Sequence, residues 1–340
     1  MPSQARITVV GSGSWGTALA YLLAGNGHRV TMWCHHAQVA EAINRDHANP
    51  RYLRGVPLPP NLIASADLEA SVRAARDMLL WVVPSHVTRE VFARVVPHLP
   101  PDVPVISATK GIEVDTLKFM TDIFAELLGD GDGRLGVLSG PSFAQEVVAG
   151  SPTAVAVAST DERVGARVQA LFASNTFRVY TNTDLVGTQL GGALKNVVAI
   201  AAGAVEGLGF GHNTQAVLIT RGLAEIVRLG VAMGADPATL AGLAGMGDLV
   251  LTCTGGLSRN RQVGIALGQG RTLKEVLDRM HMVAEGVKTT AAAHQLARRM
   301  GVEMPIVAQI HKVLFEGETP RQAVATLMGR PQRSEEGLPD

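Results

Sequence analysis

The chain opens on a short apolar, β-branched run, Arg6-Ile7-Thr8-Val9-Val10, which reads as a buried strand. Similar runs recur at His28–Cys34, Asp77–Val83, Val103–Ala108, Leu135–Leu138, Thr153–Ala158 and Phe177–Tyr180, with helically spaced segments between them. The Met-Leu-Leu-Trp-Val-Val stretch within 77–83 is apolar on both faces, as a strand covered on both sides must be. Apolar strands separated by helices predict an α/β domain with a doubly wound, mostly parallel sheet and right-handed crossovers. From Asp184 onward the strand signal stops. Segments 185–206, 214–233, 237–244, 259–268, 272–280, 286–300 and 305–315 carry helical spacing, punctuated by Gly, Asp-Pro and Met-Pro breaks. The pattern therefore predicts a sheet domain over 1–183 and an all-helical domain over 184–328. Residues 329–340, polar and proline-containing, are expected to fray.

Between the first strand and the helical run Thr17–Ala24 lies Gly11-Ser12-Gly13-Ser14-Trp15-Gly16. In a Gly-x-Gly-x-x-Gly of this kind, Gly11 permits the tight turn, Gly13 lets backbone N–H groups approach a pyrophosphate, and Gly16 lets the helix pack on the sheet. Three glycines are a weak signal among 37. Their place between strand and helix favours a dinucleotide site, and a Rossmann-type domain, over a plain turn. In NAD-binding sites a ribose-binding carboxylate lies about 20 residues further on. Here Thr31-Met32-Trp33-Cys34-His35-His36 offers no acid until Glu41, whereas His35 and His36 when protonated, and Arg51 or Arg54, are cations that could meet a 2′-phosphate. NADP is therefore expected to be accepted at least as well as NAD.

Ligands of a doubly wound sheet bind outside the carboxyl ends of the strands. Three segments end there: Val83-Pro84-Ser85-His86, Ala108-Thr109-Lys110-Gly111, and Ser139-Gly140-Pro141-Ser142-Phe143-Ala144. Pro141 is expected in the first turn of the helix that follows. Ser142 lacks the Gly-x-Ser-x-Gly elbow and a recognisable histidine–acid partner, which argues against a hydrolase.

In the helical half, Lys195 sits in Gly-Gly-Ala-Leu-Lys-Asn-Val-Val-Ala-Ile (191–200). The carboxylates nearest in sequence are Asp184 and Glu206. An unpaired ammonium in a buried helix costs several kcal/mol or lowers its pKa, and a lysine so tuned exchanges protons near neutrality. The alternative is a lysine snorkelling to solvent from an alanine-rich helix. Further on, Gly245-Met246-Gly247-Asp248-Leu249-Val250-Leu251-Thr252-Cys253 leads to Ser258-Arg259-Asn260-Arg261. Ser258 is a candidate cap, which puts Arg259 at a helix start where an anion would be gripped by guanidinium and N–H groups together.

Composition narrows the partners. Thirty basic and thirty acidic residues cancel, leaving no electrostatic footprint of a nucleic-acid or membrane-surface binder. Cys34 and Cys253 form neither a disulfide framework nor a metal-ligand spacing, which fits a reducing compartment. No charged-then-apolar leader precedes the first strand, and the longest apolar stretch, around 197–205, is too short for a bilayer. A cytoplasmic protein without membrane insertion is expected.

Gly-Ser-Gly-Ser-Trp-Gly (11–16), Ala-Thr-Lys-Gly (108–111), Ser-Gly-Pro-Ser-Phe-Ala (139–144), Gly-Gly-Ala-Leu-Lys-Asn-Val (191–197), Thr-Arg-Gly-Leu-Ala-Glu (220–225), Gly-Asp-Leu-Val-Leu-Thr-Cys-Thr (247–254), Ser-Arg-Asn-Arg (258–261) and Val-Glu-Met-Pro-Ile (302–306) occur in this order. In these motifs the chain resembles the bacterial-type NAD(P)-dependent glycerol-3-phosphate dehydrogenases, from the first strand to about residue 328. The resemblance implies reversible reduction of dihydroxyacetone phosphate to sn-glycerol 3-phosphate, a precursor for glycerophospholipid synthesis. It also implies that Lys195 is the catalytic proton acceptor. Lys110, Gly140, Ser142, Asp248, Ser258, Arg259 and Asn260 match substrate-binding positions. Ser14, Trp15, His35, Lys110, Ala144, Arg259, Val283 and Glu285 match cofactor positions, of which the second-strand end and 283–285 vary most in the family. Members are often homodimers, although no interface is legible in this chain. Two alternatives remain at this point: another β-hydroxy-type NAD(P) dehydrogenase with the same two-domain plan, and a non-catalytic NAD(P)-binding redox sensor.

Overall fold

A computed structural model describes residues 4–129, 131–280, 284–332 and 334. Eight strands, β1 (Arg6–Val10), β2 (Arg29–Trp33), β3 (Leu62–Ser65), β4 (Met78–Trp81), β5 (Val105–Ser107), β6 (Leu135–Ser139), β7 (Thr153–Ala158) and β8 (Phe177–Asn182), form one sheet in the order β3-β2-β1-β4-β5-β6-β7-β8. All neighbours pair in parallel except β6 and β7, which run antiparallel from Val137↔Ala158 to Ser139↔Ala156. The mostly parallel, doubly wound sheet expected from the pattern is thus present, with one reversal. Strand β3, which the pattern does not announce, adds the edge beside β2.

The central strands are buried on both faces because their residues alternate between two apolar layers. Ile7, Val9, Met78 and Leu80 join Leu19, Leu23 and Phe172 of the covering helices in the core on one side. Leu79 and Trp81 face Phe92, Val95 and Phe124 on the other. Trp81 meets Phe92 and Phe124 edge-on, at centroid distances of 5.2 and 5.6 Å, and its indole N–H donates to Thr88 Oγ1 at 3.1 Å. Burying so large a ring without stranding its donor places the carboxyl end of β4 firmly.

Two compact units divide the chain, one of residues 1–110 and 118–188, the other of 111–117 and 189–340. The second is helical, and its principal element is the helix Leu185–Gly207, whose residues from Leu190 to Val205 are all buried. At 23 residues it is longer than the apolar run suggests, and long and apolar enough to cross a membrane, yet it is mostly buried within the fold. It crosses the helix Arg259–Gly268 at backbone contact. A Cβ on Gly203 or Gly207 would strike the carbonyls of Arg261 and Ile265, and one on Gly264 or Gly268 those of Ile200 and Ala204. Glu225, 3% exposed, caps the helix Pro305–Phe315, its carboxylate accepting from the N–H groups of Ile306 (2.7 Å) and Val307 (3.2 Å).

Candidate active site

Within the sheet unit, the glycine motif forms the turn between β1 and the helix Ser14–Gly25. Gly11 adopts φ +119°, and a Cβ there would lie 2.6 Å from the Val82 carbonyl oxygen; a Cβ on Gly16 would strike the Gly11 carbonyl. Gly13 differs: a Cβ there would meet nothing within 4 Å. The turn is closed on its protein side at Gly11 and Gly16 and open at Gly13, beside the unpaired first N–H groups of the helix. Trp15 adds a buried indole N–H with no partner among the described residues. Open space, helix N–H groups and an orphan donor all suit an anionic dinucleotide. At the end of β2, His35 and His36 are exposed with rings 5.0 Å apart, and no carboxylate intervenes before Glu41.

On the same unit, the Gly140 carbonyl gathers two candidate residues: Lys110 Nζ donates to it at 3.1 Å and Ser142 Oγ at 3.0 Å. Gly140 has φ +148°, and a Cβ there would lie 2.8 Å from Val155 Cα, so the loop closes this way only with glycine. One expectation is corrected here. Pro141 does not open a helix; the helix is Ala144–Val148, five residues capped at Phe143, with Pro141 in the bend before it. Ala144 is its first residue, and so short a helix supplies little dipole.

The helical unit corrects the reading of Lys195. Its residue is 7% exposed, as the buried-helix reading requires, but the ammonium is not isolated. It is ion-paired to Asp248, 1% exposed, and donates to Thr252 Oγ1 at 2.9 Å. The counter-ion comes from 53 residues downstream, on the helix Asp248–Thr254. That helix is reached through a π-helical turn, Leu243–Gly247, pressed on Gly191, where a Cβ would lie 2.7 Å from the Ala244 carbonyl oxygen. The small residue beside the lysine therefore admits backbone carrying the acid. Glu206, the nearest downstream carboxylate in sequence, instead pairs with Arg261 at 2.6 Å. Beside the pair, burial pushes the Cys253 thiol up to about 12, so it stays a thiol.

Ser258 caps the next helix as expected, accepting from the N–H of Arg261 at 3.2 Å, and Arg259 is its first residue, with an exposed side chain. Asn260 turns inward, donating to Asn196 Oδ1 (2.8 Å) and accepting from the N–H of Gly286 (3.0 Å). The neighbour of Lys195 is thus tied to the neighbour of Arg259. Asn196 and Thr252 are two participants not singled out in the sequence; an asparagine in an alanine-rich buried helix was the available signal, since it must find partners. Glu285 begins the helix Glu285–Met300 next to that junction. Val283 lies outside the described residues.

The two halves of the chain match two family models in turn. Residues 6–165 fit the N-terminal and residues 184–325 the C-terminal model of NAD-dependent glycerol-3-phosphate dehydrogenase. The chain belongs to this family. It is 53% identical over 331 residues to the glycerol-3-phosphate dehydrogenase [NAD(P)+] of Citrifermentans bemidjiense, covering 97% of this chain and 98% of that one. The enzyme of the same name from Geobacter sulfurreducens is 55% identical over the same shares. Among solved structures, glycerol-3-phosphate dehydrogenase from Coxiella burnetii superposes with a TM-score of 0.92 at 40% identity, covering 97% of this chain and all of that one. A ketopantoate reductase from Ralstonia eutropha, at 18% identity and a TM-score of 0.60, shares the fold alone. As a glycerol-3-phosphate dehydrogenase family member the chain has an NAD(P)-type cofactor and dehydrogenase chemistry, which decides against the redox-sensor reading.

Proposed function

We propose that this protein interconverts dihydroxyacetone phosphate and sn-glycerol 3-phosphate with NADP(H) or NAD(H), in the cytoplasm, as a homodimer, and supplies glycerol 3-phosphate for glycerophospholipids. The buried Lys195–Asp248–Thr252 cluster in a chain of this family carries the reading.

Reduction of a ketone requires a hydride at carbon and a proton at oxygen. When bound, the dinucleotide supplies the hydride. The turn at Gly11, Gly13 and Gly16, with Ser14 and Trp15, would hold its pyrophosphate, and His35 and His36 its ribose end. Lys195 Nζ gives its proton to the substrate oxygen as charge develops there, and takes it back in the oxidation direction. Asp248 and Thr252 aim the ammonium and balance its charge, so the proton moves from a fixed position. Arg259, at the start of a helix whose cap is already formed by Ser258, grips the phosphate, and Asn260 locks that helix to the Lys195 helix through Asn196. Lys110 and Ser142, gathered on the Gly140 carbonyl, are assigned to the substrate, and Ala144, Val283 and Glu285 to the cofactor.

The deciding experiment follows loss of NADPH absorbance on adding dihydroxyacetone phosphate to the purified protein. Steady oxidation dependent on the phosphorylated ketone is expected. Equal rates with ketopantoate, or none with any ketone, would overturn the assignment.

A further inference from the structure

The residues assigned to the cofactor leave unexplained a buried, fully hydrogen-bonded side chain in the sheet unit. Asn49 is 1% exposed and lies in the loop 47–58. Its amide group donates to the Ser12 carbonyl at 3.0 Å and to Thr17 Oγ1 at 2.9 Å. Its oxygen accepts from the N–H groups of Arg51 (3.1 Å) and Tyr52 (2.9 Å). All four hydrogen-bonding positions of the amide are filled. One pair ties it to the glycine turn and the first turn of the helix behind it. The other shapes its own loop, which runs through a left-handed residue at Leu53 (φ +58°) and closes where the N–H of Leu58 meets the His47 carbonyl at 2.7 Å.

Asparagine is needed for this. The Ser12 carbonyl and the backbone N–H groups require a donor and an acceptor on one short planar group. Leucine would fit neither, and aspartate would set a carboxylate against a carbonyl. The loop so held carries Arg51, whose guanidinium lies 5.5 Å from the Tyr52 ring centroid, and Arg54, whose Nε donates to the Pro50 carbonyl at 2.8 Å. The turn it is tied to is the one left open at Gly13.

We propose that Asn49 is a positioning residue for the dinucleotide, fixing the glycine turn and the Arg51–Tyr52 segment against each other so that the site is formed before the cofactor arrives. The inference rests on the reading that the glycine turn holds the dinucleotide. Pre-ordering of this kind improves affinity by sparing the ligand the cost of ordering a loop, and it leaves the chemical step alone.

The test measures NADPH and NADH dissociation constants by fluorescence at 20 °C, beside kcat at saturating cofactor and thermal unfolding of the free protein. Asn49→Ala is expected to weaken NADPH about tenfold or more, NADH less, and kcat less than about twofold. Thr17→Val, which keeps the side-chain volume and removes one partner of Asn49, is expected to weaken NADPH about threefold; it stands in if Asn49→Ala does not fold. A lowered melting temperature with both dissociation constants within twofold of the parent would overturn the proposal, because that is the signature of a purely structural tie. Gly13→Val separates the two readings. If it leaves NADPH binding intact, the turn reading itself fails; if it abolishes binding while Asn49→Ala and Thr17→Val leave it unchanged, only the positioning role fails.

Discussion

The glycine turn and the Lys195 cluster are two opposite ways of building a site. The turn is contiguous in sequence, made largely of backbone, and open where a ligand would sit: a Cβ at Gly13 meets nothing. The lysine cluster is assembled from residues 53 and 57 positions apart, is made of side chains, and is almost closed to solvent. The first kind of site can be read from local spacing because local geometry is its whole requirement. The second depends on a charge balance that only tertiary packing supplies, since a buried ammonium without its carboxylate is untenable. Binding and chemistry should therefore separate experimentally along the same line.

The sharpest way to break the comparison is at Lys195. Lys195→Met should lower kcat about 10²-fold or more, the scale of a general acid–base group, while NADPH binding by fluorescence stays near that of the parent. Near-normal turnover would remove the lysine from the chemistry. Next comes Asp248→Ala, which strands the buried ammonium and should cost about 3–5 kcal/mol of unfolding free energy in urea titrations. Adding Lys195→Met to it should restore much of that loss, and a single variant within about 1 kcal/mol of the parent would show that the pair is not what balances the lysine. Arg259→Ala should reduce kcat/KM for dihydroxyacetone phosphate by about 2–4 kcal/mol and hardly alter the poor turnover of unphosphorylated dihydroxyacetone. Equal impairment of both would move the phosphate role to Lys110.

A pH titration sharpens the picture of the helical unit. Burial raises Glu225 to about 7, against the pull of the Ile306 and Val307 N–H groups and of Arg228 and Arg330. Its pKa is thus higher folded than unfolded, so its contribution to stability is complete below pH about 4.5 and is lost as pH rises through about 7. The expected loss is about 3 kcal/mol across that window, and Glu225→Gln should flatten it in urea titrations at stepped pH. Parallel curves for the two proteins would refute the assignment. The smallest expected effect concerns the end of β2: kcat/KM for NADH should not exceed that for NADPH by tenfold, since that segment offers histidines and no acid.

Seven of the eight strands and the helical character of the second half were legible because apolar runs and periodicity are local. Strand β3 was not, being four residues behind Pro57-Leu58-Pro59-Pro60, at an edge where Ile63 is 56% exposed. The Asp248–Thr254 helix hid because Asp248 and the six apolar or β-branched residues after it carry no decisive period. The helix Pro320–Met328 is held by a capping box from Thr319 and Gln322, a signal present in the sequence but set in a polar stretch with one buried residue, Ala323. In the candidate site, the glycine turn and the Ser258 cap were readable from neighbours. The pairing of Lys195 with Asp248, and of Asn260 with Asn196, was not, because each joins segments that meet only after the helices cross.

That crossing has a consequence for what the protein can evolve to accept. The four glycines at 203, 207, 264 and 268 bring two helices to backbone contact, and every other amino acid would push them apart. Lys195 rides on one helix and Arg259 on the other, so the joint works as a caliper whose jaws cannot slide. On the proposed roles of Lys195 and Arg259, a longer or shorter phosphate ester cannot be accommodated by changing a side chain at the joint, because there is none to change. On that proposal, adaptation to a new chain length falls to exchangeable side chains such as Arg259 and not to the joint, whose frame stays rigid.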